Sequence, residues 1–242
     1  MGPVFTCSID DGHPLDMKTA ELLGKHGLHA TFYIPIRNCE GYKVLSAAQI
    51  REIARHFEVG SHTYDHLYLK HIDVPQAYYQ IEEGKKRLED LLGQDVHGFC
   101  YPGGRYRPRD VELVRACGFR YARTTINLCF DAGDRPYEMP TTVQFYPHDR
   151  SVYLRNFISS GSWSCRQAGL QIGLRHQDWI ERLYAMFDYA CEQGATFHLW
   201  AHSLQIEELN AWNVFDDLLA HIARHVPTAN RLTNGYLAAR SF

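Results

Sequence analysis

Two adjacent carboxylates and two spaced histidines are the residues of this chain best suited to chemistry. Asp10 and Asp11 follow an apolar run at residues 4–9, and His62 and His66 stand four positions apart. Two imidazoles and one carboxylate can hold a divalent metal and still leave coordination positions open for water and substrate. Such an open site is typical of catalysis, although a pair of surface histidines explains the H-x-x-x-H spacing alone equally well.

The Asp10-Asp11 pair also favours a catalytic metal site. Like charges side by side are costly unless a cation or hydrogen bonds compensate them. A metal at Asp11 would do so, and it would leave Asp10 beside the metal-bound water, where a general base is needed. The alternative is a simple turn with Gly12, because Asp and Gly both favour turns. His202, after another apolar run, is a third polar group of this kind.

Alternating apolar runs and amphipathic segments must position these side chains. We expect strands at residues 4–9, 30–34, 58–61, 99–101, 121–124 and 195–201, and helices at 16–25, 46–55, 75–92, 109–116, 178–193 and 210–224. This alternation favours a parallel sheet covered by helices, either open and doubly wound or closed as a barrel. In both architectures functional groups collect at the carboxyl ends of the strands, so the polar groups should converge. Between residues 126 and 176 the alternation fails, and we assign no element there.

Four polar runs follow one another along the sequence: Ser8-Ile9-Asp10-Asp11-Gly12, His62-Thr63-Tyr64-Asp65-His66, Tyr101-Pro102-Gly103-Gly104 and Leu199-Trp200-Ala201-His202-Ser203. In this order they resemble the motifs of the polysaccharide deacetylases (carbohydrate esterase family 4), which include chitin and peptidoglycan deacetylases. The resemblance spans nearly the whole chain. It implies one catalytic domain over residues 1–242, folded as a distorted (β/α) barrel with mostly parallel strands.

The resemblance also implies roles for individual residues. It implies a metal-dependent hydrolase in which Asp11, His62 and His66 bind the metal. Asp10 would be the catalytic base and His202 the acid that protonates the leaving amine. A backbone N–H at about Gly103 would help to hold the oxyanion.

Two positions of the third motif depart from the family pattern. Cys100 stands where the family usually has an arginine that orients the base, and Gly103 stands where an aromatic residue is common. We hypothesise that Arg123, at the end of the next predicted strand, reaches the Asp10 carboxylate instead. An ordinary ion pair is an equally good interpretation of Arg123.

The fourth motif of the family is an acidic residue that pairs with the acid histidine. Asp131 and Asp134 are the candidates for it in this chain. Both are more simply interpreted as solvated loop residues.

The composition limits the function classes. A chain of 242 residues with 45% hydrophobic and 22% charged residues is typical of a globular protein with a sizeable core. A net charge of -3 without a basic stripe argues against nucleic acid as a partner. No window approaches the ~20 apolar residues of a transmembrane helix. Seven scattered cysteines and no visible secretion signal lead us to expect a cytoplasmic protein.

The resemblance implies an enzyme that removes an N-acetyl or N-formyl group from an amino sugar. A cytoplasmic location would favour a nucleotide- or lipid-linked biosynthetic sugar as the N-acylated substrate. The alternatives are an amidohydrolase of a small non-sugar amide and a sugar-binding relative that has lost turnover. We expect one divalent metal, with zinc preferred and cobalt, nickel or iron also compatible with the ligand set.

Overall fold

A computed structural model describes residues 2–161 and 163–242, and the strands of this part of the chain form one sheet. Every strand pairing in it is parallel. The order is β5-β4-β3-β2-β1-β7-β6, with β8 also paired to β1. The strands are β1 (Val4–Asp10), β2 (Thr31–Ile34), β3 (Glu58–Ser61), β4 (Gly98–Cys100), β5 (Tyr121–Arg123), β6 (Val143–Gln144), β7 (Thr196–Ala201) and β8 (Arg231–Leu232).

Helices surround this sheet. They are α1 (Asp16–Lys25), α2 (Ala47–Ala54), α3 (Val74–Leu92), α4 (Pro108–Ala116), α5 (Arg150–Ser160), α6 (Trp163–Arg175), α7 (Trp179–Gln193), α8 (Ser203–Glu208), α9 (Trp212–His225) and α10 (Asn234–Ser241). The capping box of Ser46 and Gln49 begins α2, and Gly93 in the left-handed conformation ends α3. Among the described residues, no helix has the length and apolar character needed to cross a membrane.

The central strand β1 is buried along its whole length. It lies between β2 and β7, and the helices pack around the curled sheet. Near the carboxyl-terminal end of the chain, α10 places the fully buried Asn234 beneath β1, where its amide donates to Thr6 Oγ1 at 2.8 Å. Tyr33 of β2 donates to the same Asn234 side chain at 2.9 Å. The last helix is therefore tied into the interior of the barrel.

The segment at residues 136–145 joins the two edges of the sheet. Met139 N–H donates to the Ala122 carbonyl of β5 at 2.9 Å, and Phe145 N–H donates to the Trp200 carbonyl of β7 at 2.8 Å. Because one segment bonds to both edge regions, the sheet curls into a distorted barrel instead of staying open. The predicted fold class is confirmed.

The structure differs from the expected elements mainly at residues 126–176. This segment contains β6 and the helices α5 and α6, which the sequence did not indicate. The described buried residues of these two helices are Tyr153, Arg166, Gly169 and Gly173, so neither helix carries an aliphatic stripe that a periodicity argument could detect. The helix expected at residues 210–224 begins only at Trp212, because Asn210 adopts a positive φ of 50°.

Candidate active site

The predicted polar groups converge at the carboxyl ends of the strands. Asp10 is the last residue of β1, His62 directly follows β3, and His202 directly follows β7. Together with His66 they line a pocket of about 480 Å³. The pocket is walled on the far side by residues of α5 and the loop before it.

The Asp11 carboxylate is the centre of the cluster. Its Oδ1 lies 3.1 Å from His66 Nε2 and 3.6 Å from His62 Nε2, and its Oδ2 lies 3.7 Å from His202 Nε2. Burial alone would raise the pKa of Asp11, but His202 and the hydrogen bonds of His62 and His66 hold it well below its ordinary value. An ionised carboxylate facing imidazole nitrogens is a donor set suited to a divalent metal.

The tautomer of His62 also fits a metal ligand. Its Nδ1 is 2.8 Å from the Cys100 carbonyl oxygen, which can only accept, so Nδ1 carries the proton. Burial lowers the pKa of His62, which keeps the ring neutral and leaves a lone pair on the Nε2 that faces Asp11. Histidines that bind metals are held in the same way, by a hydrogen bond from the nitrogen that does not coordinate.

The loops that carry the candidate ligands have unusual backbone conformations. Asp11, Thr63 and His66 have positive φ values of 77°, 66° and 60°. Such conformations cost residues other than glycine about 1–3 kcal/mol each and cluster at functional sites. Gly12 also has a positive φ, and a Cβ there would lie 2.8 Å from Ile34 Cγ2, so the turn after Asp11 requires glycine.

Arg123 forms a buried ion pair with Asp10. The guanidinium Nη2 donates to Asp10 Oδ1, and both side chains are almost fully buried. The contact that the sequence analysis hypothesised is therefore present, and its catalytic role stays a prediction. The guanidinium also lies over the rings of Tyr33 and Trp200, at 5.3 Å and 5.2 Å from their centroids. These aromatic faces hold the cation in place where its Nε and Nη1 find no hydrogen-bond acceptor among the described residues.

Cys100 and Arg123 are direct neighbours across the sheet. They are Cα partners in the β4–β5 pairing, so the adjacent strand brings a guanidinium beside the position of Cys100. The Cys100 thiol lies 3.8 Å from Asp10 Oδ2, and with Asp10 and His62 it forms a second possible group of metal ligands. Burial raises the pKa of this thiol well above its ordinary value, and Arg123 already occupies Asp10, so we favour the group of Asp11, His62 and His66.

His202 has amide partners instead of a carboxylate behind it. Its Nδ1 lies 2.8 Å from Gln205 Oε1 and 3.3 Å from Gln144 Nε2. The two aspartates that were candidates for this position, Asp131 and Asp134, are exposed, and the structure gives neither of them a bond to His202. Their exposure matches the simpler interpretation of both as solvated loop residues.

Gly103 lies on the pocket wall, opposite the ring of Tyr68. It has a positive φ of 56°, and a Cβ there would lie 3.0 Å from Tyr68 Cε1. The space of the aromatic residue common at this position of the family motif is thus filled from another loop.

The sequence analysis did not find Gln144, Gln205, Tyr33 and Tyr68. A signal exists for Gln205 only: His202 is the N-cap residue of α8 and Gln205 is three positions later, the spacing at which the N-cap and N3 side chains meet. The others come from distant strands and loops, and only the folded chain brings Gln144 and Tyr68 to the pocket and Tyr33 to Arg123.

Comparison with known proteins bears on the family of the chain. The sequence model of the family described as polysaccharide deacetylase matches residues 2–122, half of the chain. A protein of Bacillus subtilis (strain 168) that bears the name polysaccharide deacetylase YxkH is 28% identical over 120 residues, 49% of this chain and 43% of that protein. The chain therefore spans less than half of the length of this curated relative.

Solved structures share the fold. A Mycobacterium smegmatis protein described as a polysaccharide deacetylase aligns with a TM-score of 0.65 at 16% identity, over 100% of this chain and 93% of that chain. A family 4 acetyl xylan esterase from Clostridium thermocellum in complex with a cobalt ion aligns with a TM-score of 0.58 at 14% identity, over 98% and 90%. At these identities the likeness shows the fold alone. With the sequence match over residues 2–122 and the motifs in their expected order, the chain belongs to the polysaccharide deacetylase family.

Proposed function

We propose that this chain is a metal-dependent hydrolase that removes an N-acetyl or N-formyl group from an amino sugar. The observation that carries the proposal is the meeting of three imidazoles on the Asp11 carboxylate, with Asp10 held beside them by Arg123. Asp11, His62 and His66 would hold one divalent metal, for which we propose zinc. When bound, this metal would polarise the acyl carbonyl and lower the pKa of water.

The remaining roles follow from where the side chains lie. Asp10 accepts the proton of the attacking water at Oδ2, because Arg123 binds Oδ1 and the only hydrogen-bonding contact of Oδ2 among the described residues is the weak one with the Cys100 thiol at 3.8 Å. His202, whose Nε2 faces Oδ2 of Asp11, takes up a proton at Nε2, delivers it to the leaving amine and returns to the neutral ring. The Gly103 amide, on the pocket wall, stabilises the oxyanion.

The pocket also supports a compact substrate. A volume of about 480 Å³ is in the range of small-molecule sites. Lys43 and Arg155 lie on its rim, are exposed, and form no ion pair within the described part of the chain, although Glu40 and Glu208 are on the rim as well. Free cations suit the phosphoryl group of a nucleotide- or lipid-linked sugar. We also propose that residues 1–242 act as one catalytic domain, because β8 and α10 complete the barrel around β1.

The test is release of acetate or formate from N-acyl nucleotide sugars and lipid-linked sugars by the zinc-loaded protein. Asp10→Asn should abolish release but keep the thermal stabilisation by zinc, whereas His62→Ala should lose both. Release that is insensitive to Asp10→Asn would contradict the proposed base. No release from any N-acyl sugar, with zinc still bound, would favour the sugar-binding alternative. Release from small non-sugar amides only would favour the amidohydrolase alternative.

A further inference from the structure

His202 is connected to the wall of the pocket by a chain of side-chain hydrogen bonds. His148 Nε2 donates to Gln144 Oε1 at 2.7 Å, and Gln144 Nε2 donates to Gln205 Oε1 at 3.0 Å. Gln205 Oε1 lies 2.8 Å from His202 Nδ1. An amide oxygen only accepts, so in the shorter contact His202 donates from Nδ1. The longer contact of Nδ1 with Gln144 Nε2, at 3.3 Å, then joins two donors and is not a hydrogen bond, because Gln144 Nε2 donates to Gln205 Oε1.

His148, at the other end of this series of hydrogen bonds, is itself held in place. The backbone carbonyl of His148 accepts from Arg182 of α7, and its ring packs edge-to-face on Tyr153 of α5 at 6.3 Å. Gln144 is only 7% exposed, and it belongs to β6. The segment whose elements the sequence did not indicate thus supplies the support of His202.

We infer that Gln205, oriented by Gln144, is a positioning residue that holds His202 in its Nδ1–H tautomer and so directs Nε2 toward the centre formed by Asp11. The catalytic role of Gln205 in this inference rests on the proposed function. The tautomer of His202 can be tested whether or not the protein turns over a substrate. Among the hydrogen bonds of the described residues, a neutral amide takes the place that the family gives to an acidic residue. These hydrogen bonds therefore orient the ring of His202 and do not pair it with a negative charge.

The tautomer can be read directly by long-range ¹H–¹⁵N correlation spectra of histidine-labelled protein at alkaline pH, with and without zinc. A His202→Gln sample identifies the signals of His202 by their loss. We expect the Nδ1–H pattern in the wild-type protein and in Gln205→Glu, which keeps an acceptor oxygen. In Gln205→Met, which keeps the length of the side chain but has no amide, we expect the Nε2–H form to become the main one. Gln193→Met, the same exchange at the exposed end of α7, should leave the spectrum unchanged.

Turnover provides the second readout. In Gln205→Met we expect kcat to fall roughly 10- to 100-fold with KM within about twofold, because only the orientation of the acid is disturbed. Gln205→Glu should recover most of kcat, and Gln144→Met should lie between Gln205→Met and the wild type. An Nε2–H tautomer in the wild-type protein, or unchanged kcat in Gln205→Met, would overturn the inference. If the wild-type protein released no acyl group, the proposed function would fail, whereas the spectra would still decide the tautomer.

Discussion

Replacing Arg123 by methionine should damage both folding and turnover. The guanidinium is fully buried, donates to Asp10, and lies between the rings of Tyr33 and Trp200. Methionine can occupy much of this volume but leaves the Asp10 carboxylate in the interior without a counter-charge. Removing one partner of a buried ion pair costs about 3–5 kcal/mol, mainly because the other charge is left uncompensated.

For a domain of this size, such a loss corresponds to a decrease in Tm of roughly 10 °C. The kcat of acyl release should fall about 100-fold or more, since Asp10 would lose the group that fixes its orientation. The double variant Arg123→Met with Asp10→Asn removes the unpaired charge together with its partner. It should therefore recover a large part of the lost stability and none of the turnover.

Thermal and urea unfolding, together with acyl-release kinetics, would measure these effects. Arg175→Met is the matched control, because Arg175 is exposed at the end of α6 and has no ion-pair partner in the described chain. Suppose that Arg123→Met kept kcat within about threefold and the free energy of unfolding within about 1 kcal/mol. The ion pair of Arg123 with Asp10 would then contribute no more to stability than an ordinary ion pair on a protein surface. The proposal that Arg123 replaces the arginine of the third motif would then be refuted.

Three further predictions concern the metal, the packing beneath it and the barrel interior. Chelation should lower the Tm of the zinc-loaded protein by several degrees, and this decrease should be absent in His62→Ala. In Gly84→Ala the new Cβ would lie 2.8 Å from the Thr63 carbonyl carbon, so we expect a loss of about 1–3 kcal/mol and weaker zinc binding by calorimetry. Burial lowers the pKa of His198 from 6.5 to about 3, so the unfolded chain takes up this proton more readily than the folded protein. The free energy of unfolding should then be unaffected above pH 6.5 and should fall by about 4 kcal/mol as pH decreases to about 3, as measured by urea denaturation.

Each of these has a control. Gly24→Ala is the same exchange in α1, with nothing within 4 Å of the new Cβ, and should stabilise the protein by about 0.5–1 kcal/mol without affecting zinc. Equal effects of Gly84→Ala and Gly24→Ala would show that the contact with the loop of His62 is unimportant. His198→Gln should lose stability less steeply below pH 6.5 than the wild type, and an unchanged slope would contradict the assignment. A chelator effect that persisted in His62→Ala would place the metal elsewhere.

Much of the fold could be predicted because local patterns and tertiary packing agree over most of the barrel. The strand at residues 58–61 and the helix at residues 16–25 have the bounds that their patterns indicate. The pattern fails where burial is achieved without aliphatic side chains. Arg166, for example, is fully buried in α6 and bonds to the Asn127 carbonyl at 2.7 Å, so a core position of this helix reads as a surface position in the sequence.

The residues of the site also form two groups, those that the sequence pattern indicates and those that it does not. Asp10, Asp11, His62, His66 and His202 could be found because each directly follows a strand or stands at a fixed spacing from such a residue. Their supporting partners could not be found from spacing, because a hydrogen-bond partner need only be within reach in space. Arg123 was an exception, since it ends the strand that follows Cys100 in the alternation.

Supporting groups can change position during divergence more easily than metal ligands can. The ligand atoms of a metal must lie about 2 Å from one point, so a ligand moved to another strand is lost. A group that orients a base needs only to reach it, and adjacent strands are about 4.8 Å apart, less than the length of an arginine side chain. The Cα pairing of Cys100 with Arg123 puts a guanidinium within reach of Asp10 from the adjacent strand, and the ring of Tyr68 lies beside Gly103 from another loop. A missing residue in the third motif therefore does not indicate lost turnover when the neighbouring strand or loop supplies the same chemical group.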